Sequence, residues 1–274
     1  MHSEKDRVIT RLLTLHYPLC AILFCLLLFT HCFANAVEGW REIKSEHFIV
    51  NYIEDENFAS EVSRRAEQYY SKIAADLGYV RYDNFWTWDN RAKIFIYRTR
   101  DEYIRATGAK EWSYGLASYG AKAIVSYAHS ERFLNTLLPH ELTHLVFRDF
   151  VGFKGEVPIW LDEGVAQWEE EDKRRAAVDA LKVLIAKKDI IPLSHLMQMN
   201  VAEVSDSEVS LKFYVEAVTI VGFLIKQHGQ SRFTLFCRQL RDGDTVNAAL
   251  SAVYSDAVRN VDELEKEWLK YYGG

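Results

Sequence analysis

His140-Glu141-Leu142-Thr143-His144 is followed, with 18 residues (145 to 162) between, by Glu163 in the string Trp160-Leu161-Asp162-Glu163-Gly164-Val165-Ala166. On a helix, side chains four residues apart share a face, so His140 and His144 project side by side and can grip one metal ion. Glu141 follows the first histidine directly. A carboxylate there reaches a water at the metal rather than the metal itself. Glu163 offers a further carboxylate ligand. Two imidazoles and one carboxylate leave a tetrahedral Zn²⁺ with an open position, the ligand set of a catalytic rather than a structural site. The expectation is one zinc per chain.

The Trp-Leu-x-Glu-Gly-x-Ala string resembles the third-ligand helix of the gluzincin metallopeptidases, and its spacing from the histidines is similar to that of the aminopeptidase N-like branch. Among gluzincins the chain most resembles the small bacterial peptidase-MA-like domain proteins. The resemblance spans roughly residues 40–272 and is strongest over 134–168. It implies an α+β, zincin-like catalytic fold with a mixed-sheet N-terminal lobe and a helical C-terminal lobe. It also implies hydrolysis of peptide bonds, with His140, His144 and Glu163 on the metal and Glu141 as the base.

Composition sets the bounds around that reading. At 274 residues the chain is long enough for a substantial core. Its formal charge of −6 and scattered basic residues exclude a nucleic-acid surface. The expected partner is a peptide or protein substrate; the sequence leaves the oligomeric state open. Lys5, Arg7 and Arg11 precede an apolar run from Leu19 to Phe29, and Ala34-Asn35-Ala36 has the small-x-small pattern of a signal-peptidase site. Residues 1–36 are therefore read as a leader and 37–274 as the mature domain, periplasmic or secreted. A membrane contact is expected only if the leader is retained as an anchor. Cys20, Cys25 and Cys32 fall in that leader, which leaves Cys237 as a small buried hydrophobe with no intramolecular disulfide partner.

Along the mature chain, residues 40–53 read as strand from their aromatic and β-branched content. Residues 57–77 carry a helical period of apolar positions closed by Gly78. Ala92 to Tyr97 reads as a second strand, and Thr99 to Ala106 begins a helix stopped by Gly108. Glycine-punctuated turns over 112–120 lead to a third strand at 123–127, taken as a sheet edge. From about residue 130 nearly everything reads as helix, which divides the domain into a sheet-bearing part (37–150) and a helical part (151–274). Pro139 requires the metal helix to start just upstream, around Asn135–Leu138, or to kink there. Pro158 is placed to open the Glu163 helix, and Gly164 to bring that helix close to the metal helix. The charged run Glu169–Arg175 reads as a solvated helix face with Glu170–Arg174 and Glu171–Arg175 pairs.

For the oxyanion, the resemblance implies a tyrosine on a later helix, for which Tyr214 is the candidate; a histidine would serve in a thermolysin-like arrangement, and His228 is the substitute. Gln167, one turn beyond Glu163, is a candidate acceptor for a ligand imidazole. The glycine-and-acid motif that holds a free amine in aminopeptidase N-like enzymes is absent: Gly115–Gly120 has the glycines but no acid. That favours an endopeptidase, with Glu111 or Glu216 as the acids to suspect if it trims N-termini instead. The competing reading is a catalytically silent peptidase-fold module for binding or envelope assembly. The intact Glu141 argues against it.

Overall fold

The structure is a computed structural model that describes residues 39–78, 90–109, 113–129, 132–152 and 157–274. The leader residues 1–36 lie outside this set, as does Glu111. The architecture is α+β, as expected, and the chain divides into two compact units. The boundary falls between Leu145 and Val146, inside a single continuous helix.

The first unit is built on a five-stranded mixed sheet. Its strands are β1 (Arg41–Lys44), β2 (Phe48–Tyr52), β3 (Ala92–Tyr97), β4 (Gly115–Ser118) and β5 (Ala123–Tyr127), in the order β1-β2-β3-β5-β4. The segment 40–53 is thus a hairpin, β1 and β2 pairing antiparallel across Ser45–His47. β2–β3 and β3–β5 are parallel and β4–β5 is antiparallel. Helix α1 (Glu56–Asp76) follows β2, and α2 (Arg100–Thr107) follows β3. The hydroxyl of Thr99 accepts from the Glu102 amide to cap α2, and Gly108 closes it. α1 is followed by Gly78 as its sequence period indicates.

Alternation is visible in β3, where Ala92, Ile94 and Ile96 are buried while Lys93 is exposed. Tyr97 and Phe95 receive the edge of the Trp40 ring, at centroid separations of 5.2 and 5.6 Å. β5 is buried from Ala123 to Ser126, and its run of apolar residues reflects a strand covered on both faces. That corrects the sequence expectation. Residues 123–127 are internal, and among the described residues the sheet edge on this side is β4. β4 escapes the sequence pattern because Gly115-Leu116-Ala117-Ser118 has no β-branched residue.

Gly115 is there for space. A Cβ on it would collide with the Leu137 side chain and come within 2.8 Å of the Val125 carbonyl. Leu137 closes a π-helical turn, Phe133–Leu137, that leads straight into α3 (Leu138–Val151). The widened turn answers the question Pro139 poses. Proline has no N–H to give the carbonyl four residues back, and its ring crowds that carbonyl, so a wider i→i+5 turn relieves both. The Leu138 amide accordingly donates to the Phe133 carbonyl, and the Thr143 hydroxyl donates to the Pro139 carbonyl at 2.7 Å.

The second unit is helical: α4 (Ile159–Trp168), α5 (Glu171–Lys187), α6 (Leu193–Leu196), α7 (Ser207–His228), α8 (Gln230–Arg241), α9 (Val246–Val253) and α10 (Val261–Gly273). Asp206, Thr245 and Asn260 cap α7, α9 and α10 by accepting amide hydrogens of the first turn. Pro158 occupies the N-cap position of α4. Gly164 does not face the metal helix. A Cβ there would lie 2.7 Å from the Ala217 carbonyl and 2.8 Å from Val221 Cγ2, so the glycine admits α7.

The run after α4 is solvated only in part, with Asp172 and Arg175 exposed. Glu170 has extended backbone (φ −90°, ψ 92°) and separates α4 from α5. Glu169, Glu170 and Lys173 are all buried, with Lys173 Nζ 2.7 Å from Glu170 Oε2. Arg174 turns back to donate to the Trp168 carbonyl at 3.1 Å and lies over the Trp168 ring, and Arg175 pairs with Asp172. Cys237 is free and buried, as expected.

Candidate metal centre

α3 carries the first donors. His140 and His144 lie one turn apart, and their Nε2 atoms converge to 3.2 Å with the rings at 85°. Two nitrogens, each about 2.0–2.1 Å from a tetrahedral zinc ion, would lie about 3.3–3.4 Å apart. The imidazoles are therefore spaced as a ligand pair. α4 supplies the third donor. Donor atoms of His140, His144 and Glu163 all lie within 4.8 Å of one another, and all three residues are buried.

Burial is the physical reason to put a cation among them. His144 is fully inaccessible, Glu163 is 1% exposed and His140 6%. Removing a carboxylate from water to that degree is costly unless its charge is compensated, and a divalent ion between it and two neutral imidazoles would supply that compensation. The residues present fit a zinc ion on spacing, donor type and burial alike.

Every residue of α4 from Trp160 to Trp168 is buried, including Asp162 and Glu163. Arg148, one turn beyond His144, donates to Asp162 Oδ2 from Nη2 at 2.6 Å and from Nε at 3.1 Å. Sequence reading missed this pair. Its only signal is positional, an arginine four residues after one ligand and an aspartate directly before another. Tyr119, in the turn after β4, sets its ring near-perpendicular to that of His144 at a centroid distance of 6.0 Å, and it was likewise not foreseen.

Glu141 is 4% exposed and adjoins His140 on α3. Gln167 is buried one turn beyond Glu163, but its Oε1 accepts no hydrogen bond among the described residues, so it orients neither histidine. Tyr214 lies on α7, 5% exposed, one turn before the Ala217 carbonyl that Gly164 approaches. His228 ends the same helix, about 21 Å further along at 1.5 Å per residue. There it packs against Phe223 and Tyr254, and burial together with the Arg232 charge lowers its pKa. Of the two oxyanion candidates, Tyr214 is the one on the stretch of α7 that meets α4. Glu216 is fully buried, and its Oε1 accepts from the Ile191 amide at 2.9 Å, so this acid is committed to the helical unit rather than offered to a substrate amine.

A mixed sheet, a helix bearing paired histidines and a helical unit bearing the third donor define a metallopeptidase-like domain. The family model of the peptidase MA superfamily matches residues 83–272, well over half of the chain, and the protein belongs to that superfamily. A search of curated proteins returns no match.

Proposed function

We propose that this protein is an exported, zinc-dependent endopeptidase. The observation that carries the proposal is the convergence of His140, His144 and Glu163 to within 4.8 Å in a buried setting, with Glu141 adjoining the first ligand. Bound to those three residues, a zinc ion would acidify a water toward neutrality and polarise a peptide carbonyl. Glu141 takes the proton of the attacking water and delivers it to the leaving amine. Tyr214 donates a hydrogen bond to the developing oxyanion.

Cleavage at internal bonds is supported by what surrounds the site. Gly115–Gly120 carries no acid to anchor a free amine, and Glu216 is occupied by Ile191. β4 closes the sheet order, so its outer backbone groups offer an extended peptide a pairing edge. Export rests on the leader pattern of residues 1–36. Among the described residues no helix is long and apolar enough to cross a membrane.

The test is metal analysis joined to peptide-library cleavage. The purified protein is expected to carry about one zinc per chain. His144→Ala and Glu163→Ala lose most of it; Glu141→Gln keeps the metal and loses turnover. Retention of full zinc affinity by Glu163→Ala would place the third ligand elsewhere and defeat the proposal. An acetylated peptide should be cut as well as its free-amine twin, and a strong preference for the free amine would make the enzyme an aminopeptidase. N-terminal sequencing of exported protein should return a start near Val37.

A further inference from the structure

We infer that Arg148 and Asp162 are a positioning pair for the metal site, fixing the Glu163 carboxylate at its distance from the two imidazoles. The inference rests on the zinc reading above and deepens it. The ligands come from two helices, α3 and α4, and the Arg148–Asp162 contact ties those helices together close to both sets of ligands. Arg148 is one turn beyond His144 on α3, and Asp162 is the residue directly before Glu163 on α4. Both belong to the same compact unit, so the contact is internal to it.

The geometry suits a device that sets distance. Two guanidinium nitrogens address one carboxylate oxygen, at 2.6 and 3.1 Å. Asp162 is 4% exposed at its side chain while Arg148 is 25% exposed, so the pair sits at the border of the interior, where solvent screens it only in part. A planar guanidinium fixes its partner in direction as well as distance, which a lysine ammonium cannot do. The pair also neutralises the carboxylate next to Glu163. Without Arg148, two consecutive buried acids would repel each other across the ligand helix, and Glu163 would relax away from the histidines.

A contact that only held helices together would change stability and leave metal affinity alone, so affinity is the deciding readout. Zinc affinity is measured by competition with a chromophoric chelator for the wild type, Arg148→Gln, Arg148→Lys, Asp162→Asn and the double variant. Apo-protein folding is checked by circular dichroism. The expected result is a 10- to 100-fold loss of zinc affinity in Arg148→Gln and Asp162→Asn, the usual effect of removing a group that orients a metal ligand. Arg148→Lys should fall between these and the wild type. The double variant should bind no more weakly than the worse single one, because either change already breaks the pair. Cobalt-substituted Arg148→Lys should show a shifted visible absorption, reporting altered ligand geometry in a folded protein even if the other variants fail to fold. Zinc affinities within threefold of wild type in Arg148→Gln and Asp162→Asn, or an unshifted cobalt spectrum in Arg148→Lys, overturn the positioning role and leave the peptidase reading intact. A wild-type protein that binds no zinc overturns both.

Discussion

Glu216 shows how far a single buried acid departs from its ordinary behaviour. Burial pushes its pKa up to about 8; the Ile191 amide, which donates to Oε1, pulls the other way, and Glu265 raises it further. Lys212, which would favour the charged form, is itself held by Asp189 at 2.6 Å. The folded state therefore holds a proton that the unfolded chain releases near pH 4.5. Stability from this group is complete below that pH and is lost as pH rises through about 8, with a limiting slope of about 1.4 kcal/mol per pH unit for one proton. Glu216→Gln keeps a neutral acceptor for Ile191 and removes the slope. Urea unfolding of both proteins from pH 5 to 9 should show the wild type losing stability relative to the variant; parallel curves would assign Glu216 an ordinary pKa. Tyr214→Phe is the matching test in the proposed chemistry. It should leave zinc content and fold unchanged and lower kcat by about 10²–10³, the effect of losing one oxyanion donor. At this scale His140 and His144 are legible in sequence because helical spacing pairs them, and Glu163 because its string resembles a third-ligand helix. Arg148 and Tyr119 are not, because their neighbours depend on which elements meet.

Elements are legible where periodicity is strong and obscure where burial is two-sided or the turn chemistry is weak. α1, β3 and α2 follow from period and caps. The β1–β2 hairpin reads as one strand because Ser45-Glu46-His47 lacks the Gly, Asn or Pro that ordinarily marks a reversal. β5 is recognisable as a strand, but an apolar run does not say which strands flank it, and β4 carries no strand propensity to announce itself as the edge. The segment after α4 misleads for a different reason. Its charges suggest solvent, yet Glu170 and Lys173 pair inside the helical unit and free one another to be buried. Helix packing supplies the prediction at this scale. Gly164→Ala places a methyl 2.7 Å from a backbone carbonyl of α7, a neighbour that cannot rotate away. The expected cost is about 1–3 kcal/mol of stability from overpacking, read as a lower urea midpoint at unchanged m-value. A midpoint equal to wild type would mean that α4 and α7 can separate without penalty. That would also loosen the placement of Glu163 and Tyr214.

Among the described residues Cys237 is a free buried thiol, so packing rather than a disulfide holds this part of the fold. A bound metal would add a link between α3 and α4 beside the Arg148–Asp162 pair, and its binding free energy would add to folding free energy. At free zinc a thousandfold above the dissociation constant, the folded state gains about 4 kcal/mol. For a domain of this size each kcal/mol moves the melting midpoint by roughly 2–4 °C, so chelation should lower Tm by about 8–16 °C. Differential scanning calorimetry with and without a strong chelator measures that shift. The same scan on His144→Ala should show a low midpoint that chelator does not move, because the ligand set is already broken. Glu141→Gln should respond like the wild type, since Glu141 is not one of the three converging donors. A wild-type midpoint indifferent to chelator and to added zinc would mean that no metal links α3 to α4, leaving the buried Glu163 carboxylate to be balanced by protein groups alone.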